Sequence, residues 1–258
     1  MQGQDWITRD RPYVRVMKTA FALLAALALA PLPARADCVI LLHGLARSAT
    51  SLWVMEEVLE REGFQVINQD YPSTTAPIED LAPAAIGAAL SQCDEGTVHF
   101  VTHSMGGILL RQWLAGHELD RLGRVVMLAP PNQGSELVDQ LGDLAAFQWW
   151  NGPAGQELVT GAEGVPAQLP PVDFDLGVIA GYGSANPITS AMIEGPDDGK
   201  VSLETTMVEG MRDFIALRAT HTYMMNNPVV VAETLRFLRT GGFDHGLDLR
   251  DAVESLLP

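Results

Sequence analysis

The chain has 258 residues, of which 47% are hydrophobic and 19% charged, and its formal net charge is −16. That length and apolar content suffice for one large buried core and do not call for two domains. The acidity argues against nucleic acid or an anionic membrane surface as a partner, because a field of this sign repels both; the bland alternative is that it serves solubility alone.

In chain order, Met17-Lys18 precede an eleven-residue apolar run, 20–30, followed by Pro31, Pro33 and the small-x-small sequence Ala34-Arg35-Ala36. This is the layout of a secretory signal peptide over residues 17–36, cut after Ala36. A membrane span needs about 20 apolar residues, so stable insertion is not expected. Residues 1–16 carry Asp5 and Asp10, unlike a signal n-region, and a start at Met17 is expected. Removing residues 1–36 takes away five of the 16 basic and two of the 32 acidic residues and leaves a chain of net −19. A neutral substrate, or one whose charge lies far from the reacting group, suits that field.

Cys38-Val39-Ile40-Leu41-Leu42 is a continuous apolar run, as in a strand buried on both faces of a parallel sheet. It runs into His43-Gly44-Leu45, a tight turn in which glycine permits close backbone approach. A helix is predicted over 51–62, a strand over 64–69, a helix over 77–92 and a strand over 97–103. The last of these meets Ser104, after which an apolar helical pattern begins at once at Met105. A strand that reverses into a helix within a residue or two of a serine is a nucleophile elbow. Glycine is wanted two positions before and two after the serine; Gly106 fits and Thr102 departs. An ordinary turn with Ser104 as a helix cap is the competing reading.

Beyond the elbow the pattern predicts a helix over 105–119, a strand over 124–128 and a helix over 134–147. The periodicity then fails over 149–171, a Gly- and Pro-rich stretch containing Trp149-Trp150, so that 131–171 is a candidate cap. Strands follow over 176–180 and 213–217, and a helix over 228–239. Alternating strand and helix signals imply a parallel sheet with helices on both faces. With two cysteines and no Cys-x-x-Cys or His-x-x-His spacing, neither a metal site nor a cofactor is expected.

In such a sheet, residues that follow strands share one edge. Ser104, Asp197, Asp198 and His221 follow strands, whereas Asp173 and Asp175 precede one and His245 follows the terminal helix. A serine hydroxyl needs a base, and the base needs a carboxylate to fix its tautomer. His221 is the base of choice. Asp198 is preferred to Asp197 as the acid because Gly199-Lys200-Val201 allows a turn directly after it, with Asp70 as runner-up. His43, His99 and His103 read as structural.

The order Ser104, Asp198, His221, with His43-Gly44 upstream and His103-Ser104-Met105-Gly106-Gly107 at the elbow, resembles the α/β-hydrolase family, and within it the bacterial secreted lipase and esterase group. The resemblance spans nearly all of residues 38–239. It implies an α/β-hydrolase fold of about six parallel strands with helices on both faces and a small cap insertion, lacking the two antiparallel strands of larger members. It implies an oxyanion hole made by the backbone N–H groups of Leu45 and Met105, each donor worth about 3 to 4 kcal/mol in the transition state. The implied activity is cofactor-free hydrolysis of a small-molecule or lipid carboxylic ester through an acyl-enzyme. An acyltransferase or thioesterase with the same triad, and a non-catalytic binding protein of the same fold, are the alternatives.

The strand order of that family sets the strand opened by Cys38 beside the strand preceded by Cys93, about 4.8 Å away. A disulfide between the two cysteines is therefore expected, within reach of the Cα separation of about 5.5 to 6 Å that a bridge needs. It would accord with a periplasmic or secreted location.

Overall fold

A computed structural model of the chain describes residues 36–257. The expected signal peptide, apart from Ala36, lies outside the described residues. Six strands form one parallel sheet: β1 Cys38–Leu42, β2 Gln65–Gln69, β3 Val98–His103, β4 Leu122–Leu128, β5 Leu176–Gly181 and β6 Asp213–Leu217. Their order is β2-β1-β3-β4-β5-β6. The principal helices between and after them are α1 Trp53–Arg61, α2 Ile78–Leu90, α3 Met105–Leu114, α4 Glu136–Leu141, α5 Ala145–Gln156, α6 Val165–Gln168, α7 Pro187–Ser190, α8 Leu203–Thr206, α9 Pro228–Thr240 and α10 Leu249–Leu256.

No residue of β1 or β3 is more than marginally exposed, which is why β1 reads as an unbroken apolar run rather than an alternating one, while β3 buries His99, Thr102 and His103 along with its apolar residues. Alternation persists in a different form, because successive side chains serve opposite cores. Ile40, Leu42 and Phe100 pack with α2 and α3 on one face. Val39, Leu41 and Val101 pack with α1 and α9 on the other. α9 starts at Asn227, whose side chain accepts from Val229 N at 2.9 Å, has Pro228 at its first position, and stops at Gly241 in the left-handed conformation, φ 79°. Each is the residue type that its helix terminus favours.

The chain winds from β1 outward to β2 and returns to β3 on the other side of β1. The strand order therefore reverses between β1 and β3, and a crevice opens there at the carboxyl ends. The parallel register pairs Leu42 with Thr102, so that Gly44 and Ser104 emerge side by side.

The predicted strands 38–42 and 213–217 match the observed ones to the residue, and the other four differ by one or two residues at one end. Three helical predictions need correction. The helix after the elbow ends at Leu114 instead of 119, where Ala115-Gly116 closes it. The helix predicted over 134–147 is two, α4 and α5, separated at Gly142-Asp143-Leu144. The stretch after Trp149 is not irregular from its start: α5 carries both tryptophans and continues to Gln156 across a break at Gly152, φ 63° and ψ −167°. Pro153, which lacks an N–H, and a glycine inside the helix erased the sequence signal. Gly152 is required there, since a Cβ would sit 1.8 Å from the carbonyl oxygen of Thr74.

Residues 131–171 are anchored at several points. Ser135 N donates to Leu158 O at 2.9 Å. The Glu157 carboxylate accepts from Ile78 N at 2.7 Å, supplying an anion to the start of α2, where Pro77 offers no side-chain cap. The Arg111 guanidinium, buried on α3, donates to Asn132 O and Oδ1, both at 3.1 Å, and to Leu169 O and Pro170 O. Burial without a carboxylate partner pulls its pKa down to about 10.

Cys38 and Cys93, separated by 55 positions in the sequence, are joined by a disulfide with their Cα atoms 5.8 Å apart. Closing a loop of that length stabilises the fold by about 4 kcal/mol in the chain-entropy treatment. Cys38→Ser is expected to lower the free energy of unfolding by about that amount. Urea denaturation without reductant measures it, and the unreduced, denatured wild type should present no titratable thiol.

Candidate active site

The reversal from β3 into α3 takes place on one residue. Ser104 has φ 54° and ψ −126°, a conformation that L-residues rarely adopt. It is held there by Ser104 N donating to Leu128 O at 2.8 Å and Gly107 N donating to Ser104 O at 2.9 Å. Close packing around the turn explains the glycines. A Cβ on Gly106 would lie 2.6 Å from Leu42 O, and one on Gly44 would lie 3.0 Å from Ser104 Cβ. Thr102, where glycine was wanted, is accommodated because the room is found at Gly107: a Cβ there would come within 3.2 Å of Thr102 Oγ1. The elbow is thus made with a threonine before the serine and a second glycine after it.

Three side chains meet at this edge. Ser104 Oγ is 3.0 Å from His221 Nε2, and His221 Nδ1 is 2.7 Å from Asp198 Oδ2. A carboxylate only accepts, so Nδ1 carries the proton and Nε2 is left to accept from the serine hydroxyl. The other oxygen, Asp198 Oδ1, accepts from Lys200 N at 3.0 Å and Val201 N at 2.9 Å. The turn after Asp198 thereby orients its carboxylate. His221 N donates in turn to Asp198 O at 3.0 Å, joining the two loops through backbone as well as side chain. Gly181, at the end of β5, lets them close over the sheet, since a Cβ there would meet Asp198 Cβ at 2.8 Å and Ala219 O at 2.6 Å.

The other candidates lie elsewhere. Asp197 Oδ1 accepts from Gly199 N and Ser190 Oγ, both at 2.7 Å, and shapes the turn. Asp70 Oδ1 accepts from Ala49 N at 2.9 Å and lies 3.5 Å from His43 Nε2. His245 contacts Asp213, the first residue of β6, and Asp175 pairs with Arg212, so both belong to the opposite edge. Leu45 lines the cleft, while Met105 is fully buried as the first residue of α3, where an N–H has no carbonyl four residues earlier to bond to. Among the described residues no group of three or more His, Cys, Asp or Glu side chains is placed to hold a metal ion.

His43 and His103 support the site from below. His103, fully buried, lies 3.0 Å from His221 O through Nε2, so Nε2–H donates to that carbonyl. Burial first, then the neighbouring His221, holds its pKa well below the usual imidazole range. His43 stacks on Tyr71 at 4.1 Å, and the Tyr71 hydroxyl donates to His43 O. Burial lowers the His43 pKa as well.

The cleft above Ser104 has a volume of about 370 Å³. One wall comes from the loop after β1, Gly44 to Arg47, another from Lys200, Val201 and His221, and the apolar wall from Leu137, Val138, Phe147, Trp150 and Leu158 of the insertion. A larger cavity, about 690 Å³, opens at the opposite edge between Asp37, His99 and Arg124, and among the described residues no serine or cysteine lines it.

Residues 39–234 match the sequence profile of the alpha/beta hydrolase family. The chain belongs to that family. Solved structures support the same fold for this hydrolase-family chain. The Bacillus licheniformis lipase BlEst2 in its mature form is similar with a TM-score of 0.65 and 19% identity, over 81% of this chain and 94% of the lipase. Phospholipase PlaB from Legionella pneumophila is similar with a TM-score of 0.66 and 18% identity, over 85% of this chain and 62% of PlaB. A metagenomic carboxyl esterase has a TM-score of 0.58 and 17% identity, over 88% of this chain and 78% of the esterase. No curated protein matches the chain by sequence.

Sequence reasoning missed the buried Arg111–Asn132 anchor and the two cations of the cleft, Arg47 and Lys200. The signal for the first was an arginine within the apolar pattern of α3. For the second there was none, because surface-loop cations carry no periodicity.

Gly106→Ala is expected to cut turnover at least about a hundredfold and to destabilise the fold by about 1 to 3 kcal/mol, since backbone must move to admit the methyl group. Gly87→Ala, where a Cβ meets nothing within 4 Å on the exposed side of α2, should instead stabilise by about 0.5 to 1 kcal/mol. Steady-state kinetics and urea denaturation of the two variants check the contrast.

Proposed function

We propose that the chain is a serine hydrolase of carboxylic esters that works through an acyl-enzyme. The observation that carries this reading is the continuous relay of Ser104 Oγ, His221 Nε2, His221 Nδ1 and Asp198 Oδ2, with separations of 3.0 and 2.7 Å. It ends at a serine in a strained conformation that faces a partly apolar cleft.

Ser104 Oγ attacks the ester carbonyl carbon while its proton passes to His221 Nε2. Asp198, oriented by two backbone N–H groups, stabilises the imidazolium that forms. The backbone N–H groups of Leu45 and Met105 receive the developing oxyanion, a preorganised pair whose donors are each worth about 3 to 4 kcal/mol in the transition state. The C–O bond to the alcohol breaks, and the alcohol leaves with the proton from His221. Water then attacks the acyl-enzyme by the same route, its proton passing through His221 back to Ser104 Oγ, and the carboxylic acid is released.

Residues 131–171 serve as the cap in this reading. Trp150 on α5, 64% exposed, lines the cleft with Phe147 and offers apolar area for a lipid or small-molecule ester, and its neighbour Trp149 is 81% exposed. Among the described residues no helix is long and apolar enough to cross a membrane. A periplasmic or secreted location is supported by the disulfide, which persists in oxidising compartments.

Ser104→Ala and His221→Ala are each expected to lower kcat for a p-nitrophenyl ester by about three or more powers of ten, with folding unchanged. Asp198→Asn should be crippling and Asp197→Asn mild. Activity above a few per cent in folded Ser104→Ala would refute the assignment, and the reverse ranking of the aspartates would move the acid to Asp197. A panel of esters of increasing acyl length, with competing alcohols as acceptors, separates hydrolysis from acyl transfer.

A further inference from the structure

Most basic side chains among residues 36–257 are already engaged. Arg212, Arg236, Arg239 and Arg250 pair with carboxylates. Arg61, Arg111, Arg121 and Arg124 donate to carbonyl oxygens. Among the described residues Arg47, Lys200 and Arg218 make no side-chain hydrogen bond or ion pair. Two of these three, Arg47 and Lys200, line the cleft that holds Ser104.

They enter it from different elements, Arg47 on the loop after β1 and Lys200 on the turn after Asp198. They are close enough to act on one another: after burial, the charge of Arg47 is the next cause lowering the Lys200 pKa, and both cations bear on His103. The carboxylate whose charge acts on Lys200, Asp198, is committed to His221 Nδ1 and to two backbone N–H groups. Acidic residues outnumber basic ones two to one in the chain, 32 against 16, so a lack of available partners does not explain two unpaired cations in one cleft. Repulsion between them is relieved when an anion enters.

We propose that the cleft takes esters bearing an anionic group, a carboxylate or a phosphate, which Arg47 and Lys200 hold while the apolar part of the substrate lies against Leu137, Phe147 and Leu158. This rests on the ester-hydrolase reading above. The sequence favours a neutral substrate, or one whose charge lies far from the reacting group; this inference places the charge within the cleft. The negative field of the whole chain is screened beyond about 8 to 10 Å at physiological salt, whereas two cations inside a cleft act on a bound group at short range.

The test is kcat/KM on matched ester pairs, each corrected for its reactivity toward hydroxide. One pair places the charge in the acyl part: a hemisuccinate against a butyrate of the same phenol. Two others place it in the alcohol: butyrates of a phenol with and without a carboxylate, and with and without a phosphate. At least one anionic member is expected to be preferred about tenfold, the preference shrinking as ionic strength rises. Arg47→Gln and Lys200→Gln should each reduce that ratio about threefold or more, and Lys200→Arg should retain it. Arg218→Gln, an equal change in net charge outside the cleft, should leave it unaltered. Thermal midpoints establish that the variants fold.

The pair that responds identifies which part of the ester bears the charge. No preference in any pair, or a preference that survives in the Arg47→Gln/Lys200→Gln double variant, overturns the inference. Wild-type cleavage of neutral esters alone does so too, while leaving the ester-hydrolase reading in place. Failure to cleave any ester removes that reading and this inference together.

Discussion

Everything at the active edge depends on one unfavourable backbone conformation. Ser104 sits at φ 54° and ψ −126° because β3 must end and α3 must begin with no residues to spare. A conformation of this kind costs about 1 to 3 kcal/mol and persists only where its surroundings over-determine it. Here they do so through Leu128 O and Gly107 N along the backbone, and through Gly44 and Gly106, which leave no room for a side chain. Relaxing the turn would swing Oγ out of reach of His221. The strain and the hydrogen bond to Nε2 are therefore two aspects of the same constraint.

The rest of the sheet edge is built to meet that serine. β5 and β6 deliver Asp198 and His221 on separate loops, tied by His221 N to Asp198 O and braced beneath by the ring of His103. The disulfide lies at the opposite end of β1 and holds the start of that strand to the turn before β3. The two strands that flank the switch point are thus fastened at one end and loaded at the other. The insertion is held by the buried Arg111 and by Glu157, which leaves its tryptophan-bearing face free to border the cleft.

The sheet was legible because buried parallel strands have a compositional signature that does not depend on loops. β6 was placed to the residue, and β1 is bounded by Asp37 and His43 on either side of its apolar run. The edge rule alone separated His221 from His245 and Asp198 from Asp175. Choosing between Asp197 and Asp198 rested on turn chemistry, and in the structure His221 pairs with Asp198. The insertion was much less readable. Gly152 and Pro153 interrupt α5 for reasons of close packing against Thr74, so its periodicity fails where its backbone is only kinked. The four-residue helices α6, α7 and α8 are too short to show a period at all. The polarity of the cleft was also hidden: net charge is a sum over the chain, and it carries no information about two cations that the fold brings together.

In the proposed mechanism Ser104 is a nucleophile activated by His221. Incubation with a fluorophosphonate, followed by peptide mass mapping, tests it without presuming any substrate. A single stoichiometric adduct on Ser104 is expected, formed at a rate that collapses in His221→Ala while the fold is retained. No adduct on the folded wild type, or one that forms equally fast without His221, would contradict it.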